Sequence, residues 1–536
     1  MPQAPCETNP ILGIRGAVVA PNSLAAQAGL EILREGGNAI EAAIATASTL
    51  AVVYPHMTGI GGDGFWLLHQ PNGQLRGLDA CGAAGRRVLP DLYEGLNAIP
   101  WRGPLAANTV AGTVSGWGLA YDYGRRNWSG RLPWSRLLET AQYFAREGFP
   151  VTHGQAANTR TKQVELQSQP GFACAFMPED RIPSYGQRHR WPALAVTLEQ
   201  LARGGADAFY RGDLARKIGA DLSHVGSPLV AADLAAHQAQ FVRPLELRLS
   251  GATVFNLPAP TQGLASLAIL GIYGRLRQPD WSPETVEGIH ALVEATKQAF
   301  RLRDRYIADP RATDVDLQSL LSDSVLDAMT SAISLSRASS WLTPTSDGDT
   351  TWLGIIDREG RAVSMIQSIY FQFGSGVVLP ETGITWQNRG CAFCLQPGQL
   401  RSLVPGRKPF HTLNPALAQL DDGRLLVYGT MGGEGQPQTQ AAVFCRCVWG
   451  DWNVRSAVAA PRWLLGRTCG EISTTLKLEA RYSRPVADGL RALGHAVEVV
   501  QEYDERMGHA GALVFHPGGW IEGGEDPRSD GCVAAW

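Results

Sequence analysis

Asp349-Thr350-Thr351-Trp352-Leu353-Gly354-Ile355-Ile356 runs into Asp357-Arg358-Glu359-Gly360, then Ala362-Val363-Ser364-Met365-Ile366, and a little later Phe373-Gly374-Ser375-Gly376. Aromatic and β-branched residues on either side of a polar turn predict two paired strands. In front of them lies Thr343-Pro344-Thr345-Ser346-Asp347-Gly348-Asp349, small and polar, the composition of an exposed linker. Thr350 therefore sits where a linker meets a strand, and a cut at its amino side would make it a new N-terminus. The change is chemical as well as positional. A threonine hydroxyl is a weak nucleophile, whereas an N-terminal threonine carries its own α-amine to take the proton. That amine has a pKa of about 7.7–8.0, suited to a general base near neutrality.

Working outward, the 536 residues are 44% apolar and 18% charged, the composition of a folded globular chain. A net charge of −3 without a long basic run argues against a nucleic-acid partner. The polar start Met1-Pro2-Gln3-Ala4-Pro5-Cys6 does not resemble a secretion signal. The most apolar stretch, from Ala39 to Tyr54, is too short and too interrupted for a membrane span. Nine cysteines give no disulfide framework, and a reducing, cytoplasmic setting is expected. Cys391 and Cys394 form a CxxC, and Cys445 and Cys447 a CxC. Their irregular spacing and the lack of a histidine pair argue for plain thiols over zinc. Neither a metal nor an organic cofactor is expected.

Near the N-terminus, Asn22 or Ser23 caps one predicted helix, which Gly36-Gly37 ends, and Asn38 caps the next. Gly59-Ile60-Gly61-Gly62-Asp63-Gly64 is a glycine turn entering a strand. The region from Leu132 to Asp347 reads as helix-rich, with a long helix over Glu284 to Tyr306.

These pieces, in order, resemble the γ-glutamyltranspeptidase family of N-terminal-nucleophile hydrolases along nearly the whole chain. They are Gly36-Gly37-Asn38-Ala39-Ile40-Glu41-Ala42-Ala43, Gly59-Ile60-Gly61-Gly62, Phe209-Tyr210-Arg211-Gly212 and Leu257-Pro258-Ala259-Pro260. Arg305-Tyr306-Ile307-Ala308-Asp309-Pro310, the Thr350 block, Gly432-Gly433 and Asp526-Pro527-Arg528-Ser529-Asp530-Gly531 follow. The resemblance implies an α+β fold, a four-layer αββα sandwich made as a precursor. Cleavage between Asp349 and Thr350 would give a large subunit, 1–349, and a small one, 350–536, which together form one domain. It implies Thr350 as nucleophile and, through its amine, base. Ser368 would be the hydroxyl supporting it, and Gly432 and Gly433 the oxyanion donors. Paired glycines suit that task because no side chain shields their N–H groups.

The chain departs from the family where the substrate's ammonium is held. Tyr370 replaces an asparagine, and Arg389 and Ala392 fall where a glutamine and an aspartate are expected. Losing an acid and gaining an arginine inverts the local charge and favours a carboxylate, which arginine can bind with two parallel hydrogen bonds. His411 and Thr412 take the place of a donor-binding serine pair. The family's carboxylate-binding arginine has no clear counterpart near Gly82-Ala83-Ala84-Gly85-Arg86-Arg87. What this implies is hydrolysis of a small anionic amide, most like the cytoplasmic oxamate amidohydrolase branch that releases oxalate and ammonia in purine breakdown. A glutaryl- or cephalosporin-type acylase is the alternative, with γ-glutamyl hydrolysis or transfer below both. A non-catalytic binding protein on the same fold would be marked by loss of Thr350 or the glycine pair, and neither is lost. Arg389 as a surface ion-pair residue is the plain alternative to a clamp. His411 either orients substrate or satisfies a buried contact.

Overall fold

Along Thr351–Asp357 successive side chains face opposite ways, the period of a β-strand: Leu353 and Ile355 join one hydrophobic core, Trp352 and Ile356 another. The same alternation in the neighbouring strands builds a layered molecule. The computed structural model describes residues 9–278, 281–341, 350–466 and 473–536. The linker ending at Asp349 lies outside the described residues.

Two seven-stranded antiparallel sheets face each other. The first runs, edge to edge, Cys532–Ala535, Gly16–Ala20, Thr351–Asp357, Ala362–Ser368, Asp63–His69, Leu75–Ala80 and Gln240–Val242. The second runs Ile11–Gly13, Ile521–Glu525, Ala510–Phe515, Leu425–Thr430, Ala416–Leu420, Ala252–Asn256 and Leu245–Leu249. Val19, Phe65, Trp352 and Ile366 of the first sheet pack with Phe255, Leu417, Val427 and Leu513 of the second. The outer face of the first carries the helices Ser23–Arg34, Ala39–Val53, Thr113–Asn127 and Trp134–Glu147. Gly263–Leu276, Val286–Tyr306 and Gln436–Phe444 cover the second. The architecture is the expected αββα sandwich, and each sheet takes strands from both sides of Thr350. Among the described residues no helix is long and apolar enough to cross a membrane.

The hairpin that follows Thr350 is tied to the helix layer through its turn. Asn38 and Glu41 form a reciprocal cap at the start of Ala39–Val53: Asn38 Oδ1 accepts from the Ile40 and Glu41 amides, and Glu41 Oε2 accepts from the Asn38 amide at 2.8 Å. Asp357 Oδ2 accepts from the Ala39 amide at 3.0 Å and from Arg361 Nε at 2.7 Å, so one buried carboxylate joins turn and helix. Burial lifts its pKa to about 6 against the pull of Arg361. The reading of secondary structure falls short in the middle of the chain. Gln240–Val242, Leu245–Leu249 and Ala252–Asn256 are strands inside the region read as helix-rich. They are short and lie toward the edges of their sheets, so the alternation they carry is brief.

Candidate active site

Thr350 is buried at the head of a strand in the interior of the first sheet. Its Oγ1 donates to the Gln367 carbonyl at 3.0 Å, as does Thr351 Oγ1. One residue on, Ser368 is buried rather than on a solvent face, and its Oγ accepts from the Tyr370 amide at 2.7 Å. This short turn holds Tyr370 at φ +80, a left-handed conformation costly for a residue with a side chain.

The second sheet supplies the glycine pair. Trp352 lies under the end of Leu425–Thr430, where a Cβ at Gly429 would strike its indole ring, and Trp352 Nε1 donates to Ser364 Oγ at 3.0 Å. The strand leading to Gly432 is thereby held over the residue two places after Thr350. Gly432 has φ +118 and Gly433 φ +49, both in the left-handed region that favours glycine. Gln262 Nε2 donates to the Gly433 carbonyl and the Thr412 carbonyl, each at 2.8 Å. Its Oε1 accepts from Arg303 Nη1 at 3.2 Å, and the same nitrogen bonds Glu434 Oε2 at 3.0 Å. A buried arginine, a glutamine and a glutamate thus brace the glycine loop from behind.

Arg389 is wholly buried and is no surface ion-pair residue. Its guanidinium carbon lies 3.6 Å from the centre of the Tyr370 ring. Nε donates to the Phe410 carbonyl at 2.8 Å and Nη1 to Thr412 Oγ1 at 3.3 Å. Nη2 has no hydrogen-bond partner, and no carboxylate pairs with this arginine among the described residues. A buried cation without a counter-charge is costly, and an anion at Nη2 would remove that cost.

Beside it, His411 Nε2 lies 3.1 Å from Asp63 Oδ2. The other oxygen, Oδ1, accepts from the Gly82 amide at 2.9 Å, the Gly112 amide at 3.1 Å and Gln387 Nε2 at 3.2 Å. Burial raises the Asp63 carboxyl to about 7, against those donors and with Asp79 adding to the rise. Burial first, then the charges of Arg389 and Lys408, hold His411 well below its ordinary range, so the ring is neutral. Cys81 completes the cluster, its thiol pushed up by burial and by the two aspartates. Donor atoms of Asp63, Cys81 and His411 lie within 4.8 Å of one another, as metal ligands would. The carboxylate is already saturated by hydrogen bonds and two cationic side chains stand nearby, a poor environment for a metal ion.

Arg86 and Arg87, in the segment searched for a carboxylate-binding arginine, are exposed. Arg86 instead lines a cleft of about 490 Å³ together with Cys81, Asp309 and Lys408. That cleft adjoins the cluster through Cys81, and Thr350 is not among its lining residues. Cys445 and Cys447 are buried at the end of Gln436–Phe444, and neither they nor Cys391 and Cys394 belong to a metal-like group among the described residues. Sequence reasoning did not single out Asp63, Gln262 or Gln387. For Asp63 the available signal was an acid enclosed by the glycines of Gly59-Ile60-Gly61-Gly62-Asp63-Gly64. Gln262 had only its place two residues after Leu257-Pro258-Ala259-Pro260.

A family model described as Gamma-glutamyltranspeptidase matches residues 25–536. The chain is 51% identical to an oxamate amidohydrolase proenzyme of Klebsiella pneumoniae, over 97% of this chain and 98% of that one. It is 39% identical to a glutathione hydrolase-like proenzyme of Bacillus subtilis, over 98% and 99%. The crystal structure of a cephalosporin acylase from Bacillus halodurans superposes with a TM-score of 0.90 at 33% identity, covering 100% of this chain and 98% of that one.

Proposed function

The chain belongs to the gamma-glutamyltranspeptidase family, and on that premise we propose an amidohydrolase that cuts itself before Thr350 and then hydrolyses oxamate to oxalate and ammonia. In the cut, Thr350 Oγ adds to the Asp349 carbonyl carbon, the peptide nitrogen leaves as the α-amine, and water cleaves the resulting ester. The products are a large subunit, 1–349, and a small one, 350–536, held together as a heterodimer by the shared sheets. In turnover the α-amine takes the Thr350 hydroxyl proton while Oγ attacks the amide carbon. The oxyanion is met by Gly432 and Gly433 N–H groups, of which one can be worth about 3–4 kcal/mol. The amine returns its proton to the departing nitrogen, ammonia leaves, and water then splits the acyl ester to give oxalate. Ser368 supports the nucleophile, and Tyr370, His411 and Thr412 line the substrate with Arg389.

The observation that carries the anionic substrate is Arg389, buried, stacked on Tyr370 and with Nη2 unpaired. It supports a carboxylate clamp. A cytoplasmic setting and a role in purine breakdown go with this reading. A glutaryl- or cephalosporin-type acylase is the second reading, favoured by the acylase likeness and equally served by an arginine at the far carboxylate. γ-Glutamyl transfer ranks below both, because the ammonium-binding acid is absent, with Ala392 at its position. The test is turnover by the processed protein of oxamate, a glutaryl amide and a γ-glutamyl anilide. Preference for oxamate is expected, and preference for either other substrate overturns the proposal.

A further inference from the structure

Two buried polar atoms of this cluster have no hydrogen-bond partner, and they are of opposite kind. Arg389 Nη2 is a donor, and His411 Nδ1 belongs to a ring whose other nitrogen is engaged by Asp63. His411 lies between the two residues that hold the guanidinium, Phe410 through its carbonyl and Thr412 through its hydroxyl. Which role Nδ1 plays follows from Asp63. Two of the donors on Oδ1 are backbone amides, of Gly82 and Gly112, which cannot turn away, and an ionised Oδ2 then faces His411 Nε2. The hydrogen sits on Nε2, and a neutral ring presents a bare lone pair at Nδ1. A buried acceptor left unpaired is costly, and a ligand that supplies both an anion and a hydrogen-bond donor would satisfy the two atoms together.

We infer that Arg389 and His411 form a two-point receptor for a carboxylate whose neighbouring carbon bears an N–H, Arg389 Nη2 taking the carboxylate and His411 Nδ1 the N–H. This deepens the amidohydrolase reading of the same site and rests on it. In oxamate the amide nitrogen is attached to the carbon next to the carboxylate, so both points are met within one planar group. A glutaryl terminus has a methylene there and leaves Nδ1 unpaired, as does pyruvate, which is oxamate with a methyl in place of the amino group. A site built to bond an N–H rejects the analogue lacking it. The pair thus separates the two substrate classes that an arginine alone cannot. Asp63 is a positioning residue: it acts only by fixing the tautomer.

The test compares the KM for oxamate with the Ki of pyruvate in processed enzyme at pH 8. In the wild type oxamate is expected to bind roughly tenfold to hundredfold more tightly. His411→Phe should bring the ratio near one by weakening oxamate alone. Asp63→Asn is the sharper variant. The carbonyl of the introduced amide would keep the backbone donors, its NH2 would face Nε2, and the ring hydrogen would move to Nδ1, turning the acceptor into a donor. Preference for oxamate should then vanish while pyruvate inhibition persists, a split that a merely structural role would not produce. An unchanged ratio in His411→Phe, or in a folded Asp63→Asn, overturns the inference. If the enzyme turns over no oxamate, the activity reading fails separately, and thermal protection of processed wild type decides the receptor. A larger Tm rise with oxamate than with equal pyruvate sustains it, and equal rises sink it.

Discussion

Asp63 and Ser368 stand opposite each other in the antiparallel register of Asp63–His69 and Ala362–Ser368. From this cross-strand pair two lines of contact diverge. The Asp63 carboxylate leads to His411, and Ser368 Oγ leads through the Tyr370 amide to the ring on which Arg389 rests. The roles proposed for His411 and Arg389 on one side and for Ser368 on the other therefore meet at one rung of the first sheet.

Thr350→Ala removes the attacking oxygen for both the self-cut and turnover. Denatured mass after incubation at neutral pH should show one intact chain, where the wild type gives two species that place the cut before Thr350. A variant that is cut there, or that hydrolyses amides uncut, would end the nucleophile assignment. Thr350→Ser keeps a hydroxyl and should still be processed, more slowly.

Arg389→Ala should act mainly on binding. Hydrogen bonds to a charged group contribute roughly 1.5–3 kcal/mol, so KM for an anionic amide should rise about 10–150-fold with little change in kcat. Arg389→Lys should recover only part of this, since a lysine offers neither the planar fork nor the flat face stacked on Tyr370. Steady-state kinetics with oxamate checks both.

Gln262→Leu should show the opposite pattern. It removes the donor shared by the Gly433 and Thr412 carbonyls and leaves Arg303 Nη1 with Glu434 alone. A glycine loop held less well aims its N–H groups less well, and kcat is expected to fall about tenfold or more with a smaller change in KM. A loss confined to KM would remove Gln262 from the bracing of the oxyanion loop.

Acid should weaken binding and chemistry by separate routes. The groups facing the Asp63–His411 pair are Asp79, Cys81, Lys408 and Arg389. With the Asp63 carboxyl raised to about 7, the pair gains a proton as pH falls below 7, and the lone pair at Nδ1 is lost or its ring turned to a donor. KM for oxamate should then rise about tenfold per pH unit below 7, as for any single-proton step. The freed α-amine, with a pKa of about 7.7–8.0, must be unprotonated to act, so kcat should fall from a higher pH. Measuring both constants from pH 5.5 to 9 separates them. A KM that does not change across pH 7 would contradict the role given to Asp63.

Much of this was legible in the sequence because the features are local. The alternation around Trp352 fixed the hairpin, Asn38 announced a helix start, and the glycines at 432 and 433 stood in an ordered run of family motifs. Arg389 showed itself as a charge reversal. Its burial did not, because whether a lone arginine faces water depends on Tyr370, Phe410 and Thr412, brought to it by loops distant in sequence. Asp63 and Gln262 were missed for the same reason. Their partners lie 348 residues away at His411 and 171 residues away at Gly433, and no periodicity in one segment encodes a contact with another.

The indole of Trp352, seated among Gly354, Gly429 and Gly511, would gain a kinetic meaning if the chain is cut as proposed. It moors the new chain end two residues from its tip, and two residues reach at most about 7 Å when fully extended. The reactive hydroxyl and amine of Thr350 would then stay within about 7 Å of that anchor. Inside so small a volume the nucleophile meets its target at a high effective concentration, and the entropy of that confinement is settled when the sheet folds rather than at each turnover.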